Sequence, residues 1–330
     1  MRPSRRAAIK AIGVAIPQKV MSNADFEKMV DTTDEWITQR TGIKHRRVIG
    51  EGESTATLAT QAAKDALDKA GMKATELDLI ICATISQEMM FPATACFVQA
   101  NIGATDVPAF DISAACSGFL YALTIGSQFI ETGMYKKVLV IGAESLSRFT
   151  DYTDRGSCIL FGDGAGAAIL EPTDDPARGI QYNVLHADGT GWDFIHVPAG
   201  GSRTPATHET VDARAHFIKL RGREVYKFAV EKMKWLLEDC MAKCNLTVDD
   251  VDMVIPHQVN SRIIASATEK LNLPAEKVFM NIDRFGNTSA ASIPLAMNDA
   301  LAEGKIKPGS LLLLVAFGAG LTWAGSVVRL

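Results

Sequence analysis

The 330-residue sequence lacks several features that assign a chain to a specialised class of protein. Its formal net charge is only −4 and no long run of one sign occurs, so nothing in it indicates a nucleic-acid partner. Its six cysteines form no Cys-x-x-Cys pair, and the chain is large enough to bury a core without disulfides. We therefore expect reduced thiols and a cytoplasmic location.

Signals for secretion or membrane insertion are also weak. Three arginines near the N-terminus precede an alanine-rich stretch, as in a signal peptide, but Lys10 interrupts the apolar run and Pro17 ends it. The uncharged run over 311–328 contains three glycines and fits two strands joined by a glycine turn better than a spanning helix. We expect no contact with a membrane.

What the sequence does contain is a repeated α/β pattern. A helix, a short link and a buried strand over 66–83 recur over 240–256, and Asp252 follows Asp78 by 174 residues. Two further echoes follow in the same order: 279–282 repeats 109–112 at an offset of 170, and 312–316 repeats 138–142 at an offset of 174. We therefore predict two copies of one α/β unit, residues 1–174 and 175–330, with mixed sheets covered on both faces and helices of the two halves packed between them.

One cysteine occupies a distinctive place in this pattern. Cys116 lies between a strand-like run and an apolar helix pattern, near helical N–H groups that favour a thiolate and can hold an oxyanion. In the second half, His257 and Asn287 each follow a predicted strand, so the duplication predicts that both lie beside Cys116. Each has an ordinary alternative explanation: a buried core cysteine, a histidine at a helix start and an asparagine in a turn.

A Cys/His/Asn set supports two kinds of chemistry. In a hydrolase the histidine deprotonates the thiol and the asparagine orients the histidine. In an enzyme that forms carbon–carbon bonds, the cysteine holds an acyl group while histidine and asparagine donate hydrogen bonds to a thioester oxygen and stabilise an enolate. Periodicity alone leaves both open.

The glycine-rich segment 162–167 formally satisfies the dinucleotide fingerprint G-x-G-x-x-A. That fingerprint needs a helix after the glycines, whereas the residues that follow are strand-like and end at Pro172. We interpret these glycines as permitting close backbone approach beside the site.

Several motifs resemble those of the β-ketoacyl-acyl-carrier-protein synthase III family. They are Asp34-Glu35-Trp36, Arg40-Thr41-Gly42-Ile43, Ala114-Ala115-Cys116-Ser117-Gly118, Asp154-Arg155-Gly156, Phe161-Gly162-Asp163-Gly164-Ala165-Gly166, His257-Gln258-x-Asn260 and Phe285-Gly286-Asn287-Thr288-Ser289. The resemblance spans essentially the whole chain and implies an α/β, five-layered αβαβα thiolase-like fold.

The resemblance also implies a two-step reaction that initiates type II fatty-acid synthesis. Cys116 would take the acyl group of a short acyl-CoA primer such as acetyl-CoA. Malonyl-acyl-carrier protein would then lose carbon dioxide, its enolate held by His257 and Asn287, and attack the acyl-cysteine to give a 3-oxoacyl-carrier protein. Backbone N–H groups of Cys116 and Gly318 would form the oxyanion hole. CoA thioesters are substrates, so no resident cofactor and no metal are expected.

Binding residues follow from the same resemblance. Those implied for CoA are Trp36 and Arg155 at the adenine, and Thr32, Arg40, Gly222, Lys227 and Asn260 along the tunnel. Arg262 and Lys227 would attract the acidic acyl-carrier protein at the mouth. Phe91, in a segment that would enter the partner subunit's pocket, and Leu321 would shape the acyl pocket, which implies a homodimer.

The C-terminal signature departs from the family pattern. Here it reads Gly318-Ala319-Gly320-Leu321-Thr322-Trp323-Ala324, where the family often has Gly-Gly-Gly-Phe-Thr-Trp-Gly, so the preferred primer length stays open. Related condensing enzymes of secondary metabolism are the main alternative, followed by a Cys/His acyl-CoA hydrolase and a noncatalytic carrier-protein-binding subunit. Thiolases are disfavoured because no cysteine follows Cys244, and elongating synthases because Asn287 stands where they use a histidine.

Overall fold

The structure is a computed structural model that describes residues 5–330; the first four residues, part of the arginine-rich start considered above as a signal peptide, lie outside it. The strands are β1 (Arg6–Ala15), β2 (Lys19–Ser22), β3 (His45–Val48), β4 (Leu79–Ala83), β5 (Ala109–Ile112), β6 (Val138–Ser145), β7 (Asp163–Thr173), β8 (Gly179–Ala187), β9 (Ile195–His196), β10 (Lys219–Leu220), β11 (Met253–Pro256), β12 (Leu311–Gly318) and β13 (Thr322–Arg329). The helices are α1 (Asn23–Glu27), α2 (Asp34–Thr41), α3 (Thr55–Ala70), α4 (Thr94–Ile102), α5 (Gly118–Glu131), α6 (His208–Asp212), α7 (Gly222–Cys244), α8 (Ser261–Glu269), α9 (Ile282–Phe285) and α10 (Ser292–Ala302).

Two mixed sheets form the framework. The first has the strand order β1-β7-β6-β4-β5, and the second has the order β11-β12-β13-β8. In the first sheet β4 runs parallel to β5 and β6, and in the second β11 runs parallel to β12. Strands β4, β11 and β12 are continuous apolar runs, as expected for strands covered on both faces.

Helices cover both sheets and also separate them. Residues of α5 and α10, such as Leu120 and Met297, pack in one cluster with side chains from both sheets. The outer face of the first sheet is covered by α3 and α4, and that of the second by α7 and α8. The predicted five-layered αβαβα architecture is therefore confirmed.

Capping residues mark the ends of the helices. Helix α3 begins after Ser54, whose hydroxyl accepts a hydrogen bond from Thr57 N–H, and ends at Gly71 in the left-handed conformation. Helix α2 likewise ends at Gly42 with φ of 79°. The predicted strand, glycine turn and strand over 311–328 are present as β12 and β13. Within residues 5–330, no helix combines the length and apolar character needed to cross a membrane.

The sequence repeat corresponds to a repeated hydrogen-bond pattern. Asp78 N–H donates to Lys137 O at 2.8 Å, and Lys137 N–H donates to Asp78 Oδ2 at 2.9 Å. At an offset of 174 residues, Asp252 N–H donates to Leu311 O at 3.0 Å, and Leu311 N–H donates to Asp252 Oδ2 at 2.7 Å. Two equivalent carboxylates, those of Asp78 and Asp252, thus fix the start of β6 in the first half and of β12 in the second.

The prediction of a strand over 279–282 is wrong. Only Val278 forms a bridge, with Val254 of β11. The next ladder position is lost because Asn281 N–H donates to the side-chain oxygen of Gln258 at 3.0 Å, after which the chain enters α9. The second sheet therefore has four strands where the first has five.

Candidate functional site

A cavity of about 550 Å³ lies where the turns that follow the strands of both halves meet. The predicted site residues that line it are Trp36, Arg40, Cys116, Gly222, His257, Asn260, Arg262, Asn287 and Gly318. The three residues of the predicted Cys/His/Asn set, distant in sequence, thus share one cavity.

Five predicted residues do not line this cavity. Thr32 is half-buried, Lys227 is exposed on α7, and Arg155 reaches the site only by lying over the Trp36 ring. Phe91 is 80% exposed. Leu321 is buried, but its side chain faces Gly191, where an added Cβ would lie 2.6 Å from Leu321 Cδ1.

Cys116 lies in a 3-10 turn, Ala115–Ser117, that leads into the buried helix α5. The turn begins at Ala115 with φ of 47°, a left-handed conformation that an alanine adopts only under strain. The expectation of a favoured thiolate is wrong for the resting protein: burial raises the pKa of Cys116 to about 12, and the lowering effect of the nearby Ser289 side chain does not offset it. Cys116 is therefore held as a neutral thiol.

Gly318, at the end of β12, lies against the Cys116 backbone. A Cβ at residue 318 would be 2.6 Å from Cys116 N and 3.2 Å from the Ala115 side chain. Only glycine fits here without displacing the turn that carries the thiol.

His257 follows β11 and is fully buried. Its Nδ1 lies 2.7 Å from the Ser292 hydroxyl at the start of α10, and its Nε2 has no hydrogen-bond partner although it is buried. Burial lowers the pKa of His257 to about 3, so the imidazole is neutral at physiological pH. The unpartnered Nε2 is the ring atom that remains for a ligand.

Asn287 is held by the glycine-rich segment of the first half. Its backbone N–H donates to Leu160 O at 2.9 Å, and its backbone oxygen accepts from Gly162 N–H at 3.0 Å. A Cβ at residue 162 would be 2.2 Å from Phe285 O, so the interpretation of these glycines as permitting close approach is confirmed. Because Ser289 N–H donates to the Asn287 side-chain oxygen at 2.9 Å, the amide NH₂ is left to donate elsewhere.

A second group of predicted residues gathers at the opening. The Arg155 guanidinium carbon is 4.7 Å from the Trp36 ring centroid, and that of Arg40 is 5.6 Å from it. Asn260 begins α8 by accepting from Arg262 N–H, and its side chain also donates to Arg40 O. The opening thus presents an aromatic face between cations.

Sequence reasoning missed the apolar wall and the two serines that support His257 and Asn287. The apolar wall consists of Ile85, Leu146, Ile159, Leu160, Phe161, Ile195, Val197, Ile218, Leu220, Val225 and Phe317. Ser292, which contacts His257, and Ser289, which contacts Asn287, were not singled out as supporting groups. The run Asn-Thr-Ser-Ala-Ala-Ser that ends at Ser292 was their available signal.

Comparison with known proteins gives consistent similarities. Sequence profiles described as 3-oxoacyl-[acyl-carrier-protein (ACP)] synthase III and its C-terminal part match residues 110–189 and 241–330. The β-ketoacyl-[acyl-carrier-protein] synthase III of Caldanaerobacter subterraneus subsp. tengcongensis is 53% identical over 98% of this chain and 97% of its own.

Solved structures agree. The 3-oxoacyl-[acyl-carrier-protein] synthase III from Aquifex aeolicus has a TM-score of 0.90 and 47% identity, covering 98% of this chain and all of the other. The priming β-ketosynthase from the R1128 polyketide biosynthetic pathway has a TM-score of 0.90 and 33% identity, covering 99% of this chain and 97% of the other.

Proposed function

The chain belongs to the β-ketoacyl-[acyl-carrier-protein] synthase III family, and from that premise we propose that it condenses an acyl-CoA primer with malonyl-acyl-carrier protein. In the first step Cys116 attacks the primer thioester and retains the acyl group while CoA leaves. In the second step malonyl-carrier protein loses carbon dioxide, and the resulting carbanion attacks the acyl-cysteine. The product is a 3-oxoacyl-carrier protein.

The observation that carries this proposal is the pair of neutral donors beside the thiol. The Asn287 amide has its oxygen engaged and its NH₂ available, and His257 has a buried, unpartnered Nε2. When the Ser292 hydroxyl donates to His257 Nδ1, Nε2 carries the proton and donates into the cavity. Two neutral donors stabilise the oxygen of an enolate without protonating it.

Acyl transfer to Cys116 needs a separate group for its own oxyanion. The backbone N–H groups of Cys116 and Gly318 supply it in this proposal, because the two residues are in backbone contact. A donor of this kind contributes roughly a hundred- to a thousandfold in rate.

The opening fits the two carriers of acyl groups. Trp36 offers a stacking face for the CoA adenine, with Arg155 and Arg40 adding positive charge beside it. Thr32, Gly222, Lys227 and Asn260 complete the CoA contacts in this proposal. Exposed Arg262 on α8 and exposed Lys227 on α7 would attract an acidic carrier protein.

We further propose a cytoplasmic homodimer that needs no resident cofactor. The exposed Phe91, flanked by exposed Met89 and Met90, is a side chain available to enter a partner subunit's acyl pocket. Within the chain itself, the apolar wall named above would receive the acyl group. Leu321 would not contact the acyl group and would affect the acyl pocket only by supporting the backbone near Gly318.

The proposal is tested by supplying acyl-CoA and malonyl-acyl-carrier protein and identifying the products by mass spectrometry. We expect a 3-oxoacyl-carrier protein, free CoA and carbon dioxide only when both substrates are present. A hydrolase would instead release free acid from acyl-CoA without malonyl-carrier protein. A preference for long or unusual primers would move the assignment to a condensing enzyme of secondary metabolism, as the similarity to a priming β-ketosynthase allows.

A further inference from the structure

Glu144, near the end of β6, is a fully buried carboxylate that the reaction above does not use. Its Oε2 accepts hydrogen bonds from Ser86 Oγ at 2.5 Å and Thr84 Oγ1 at 3.3 Å, and its Oε1 accepts from Ser289 Oγ at 3.0 Å. The Ile85 N–H lies 3.3 and 3.4 Å from the two oxygens. All four partners are neutral, so hydrogen bonds alone offset the burial of its charge.

Ser289 connects this carboxylate to the nucleophile. Ser289 and Cys116 line the same cavity, and the Ser289 hydroxyl, which donates to Glu144 Oε1, is close enough to the thiol to lower its pKa. The turn that Ser289 begins sits directly on β6: a Cβ at Gly142 would be 2.3 Å from Ala290 O. Ser289 also has φ of 48°, so a strained backbone holds the residue whose hydroxyl reaches Glu144 at the wall of the Cys116 cavity.

The repeat makes Glu144 the counterpart of the oxyanion glycine. Gly318 follows Glu144 by 174 residues, and Ser289 follows Ala115 by the same number. The end of β12 therefore contacts the turn that carries Cys116, and the end of β6 contacts the turn that begins at Ser289. At the end of β12 this contact is made by the backbone of Gly318, and at the end of β6 it is made by the carboxyl group of Glu144.

We propose that Ser289 and Glu144 form a proton relay for Cys116, with Glu144 acting as a positioning residue through Ser289. As the sulfur forms its bond to the acyl carbon, the thiol proton moves to Ser289 Oγ and the Ser289 hydroxyl proton moves to Glu144 Oε1. The bond from the acyl carbon to the CoA sulfur breaks, and the CoA thiolate takes a proton from solvent. When condensation releases the Cys116 thiolate, the stored proton returns by the reverse path. The inference deepens the proposed function and rests on it.

The pKa of Glu144 supports proton transfer from Cys116 toward this carboxylate. Burial raises the pKa of Glu144 to about 7, so near neutral pH it is able both to accept and to return a proton. The other titratable groups that face Glu144 are the thiols of Cys82 on β4 and Cys116, and burial raises the pKa of both. His257, with a pKa lowered to about 3, stays neutral across the working range and does not compete.

The test is the pH profile of Cys116 alkylation by iodoacetamide, followed by peptide mapping so that the six cysteines are resolved. In wild type we expect two rises in rate, one near pH 7 as Glu144 ionises and a second near the pKa of the thiol itself. Glu144→Gln and Ser289→Ala should both lose the first rise, and their acyl loading at pH 7.5 should slow by about 10- to 100-fold.

Matched controls separate this effect from a loss of packing. Asp163→Asn changes a second buried carboxylate, which accepts from Ile49 and Ser147, and Ser127→Ala removes a second buried hydroxyl. Both should keep the two-step profile. If Glu144→Gln does not fold, as judged by circular dichroism, Ser289→Ala still breaks the relay while the carboxylate keeps its bonds to Ser86 and Thr84.

Alkylation needs no acyl donor, so the relay and the proposed function fail in different ways. A two-step profile that persists in folded Ser289→Ala or Glu144→Gln overturns the relay, while the acyl-transfer assay stands. A first rise that is lost in those variants supports the relay, even where wild type transfers no acyl group from CoA and the proposed function fails.

Discussion

The two halves of the molecule differ most at the fifth strand of the repeat, and in the proposed reaction that difference separates acyl transfer from enolate stabilisation. In the first half, six residues separate Ala109 of β5 from Ala115, and Cys116 follows directly. In the second half, Val278 takes the register position of Ala109, and eleven residues lead to the equivalent turn at Ser289. The longer connection contains α9 and Asn287.

The duplicated framework brings equivalent turns of the two halves to the same site. The side chains with chemical roles, however, lie where the two halves differ. The turn residue equivalent to Cys116 is Ala290, which carries no reactive group. The second half instead contributes two donors, His257 after β11 and Asn287 in the lengthened connection. In the proposed reaction, the first half thus holds the acyl group and the second half activates the malonyl group that attacks it.

Asn287→Ala should have the largest effect, because it should separate acyl loading from condensation. Loading of acyl groups on Cys116 should persist, whereas condensation should fall about a hundred- to a thousandfold because one enolate donor is lost. Intact mass after acyl-CoA exposure measures the first step, and 3-oxoacyl-carrier protein formation measures the second. Asn101→Ala, an exposed asparagine on α4, is the control. Loss of loading with decarboxylation intact would reverse the assignment of the halves.

Gly318→Ala should damage the first step instead. The added Cβ would lie 2.6 Å from Cys116 N, so the turn must shift and the oxyanion donors with it. We expect acyl loading to slow about a hundredfold, measured by quenched-flow mass spectrometry. Gly189→Ala meets no atom within 4 Å and should load at the wild-type rate. Equal rates for both variants would remove Gly318 from the oxyanion site.

Trp36→Ala should weaken binding without changing chemistry. Loss of a stacking partner for adenine should raise the KM for acyl-CoA about tenfold and leave kcat nearly unchanged. Trp192→Ala is a close control, because Trp192 also carries an arginine at 4.7 Å, Arg203, but does not line the cavity. Steady-state kinetics at saturating malonyl-carrier protein measure both parameters, and matching KM values for the two variants would contradict the adenine assignment.

The smallest expected effect is a difference in stability between variants of the two equivalent aspartates of the repeat. Half-buried Asp78 accepts from the backbone N–H groups of Lys136 and Lys137, whereas exposed Asp252 accepts from that of Leu311 alone. Asp78→Ala should lower the free energy of unfolding by about 2 kcal/mol and Asp252→Ala by about 1 kcal/mol. Denaturant titration of both variants provides the comparison, and the opposite order would show that these bonds do not set the difference.

Much of the fold was predictable because its signals are local. The bounds of α3, its glycine end and the two C-terminal strands follow from helix periodicity, capping residues and apolar runs. The five layers follow from the repeat, since duplicated units with strands apolar on both faces need helices on either side.

The missing strand and the protonation states were not predictable from sequence. Residues 279–282 have strand composition, but a side chain distant in sequence, Gln258, takes the hydrogen bond that a ladder would need. The thiol pKa depends on how much water the fold removes, and that outweighs the helix N–H groups at Cys116. Likewise Leu321 packs against Gly191 and does not line the cavity, and no local pattern encodes that contact.

The central claim is that Cys116 carries the acyl group, and intact-protein mass spectrometry after exposure to a panel of straight and branched acyl-CoAs tests it most directly. We predict that wild type gains one acyl mass, chiefly with short primers, that Cys96→Ala behaves like wild type, and that Cys116→Ala gains none. An acyl mass on Cys116→Ala, or none on wild type with any primer, would contradict the account.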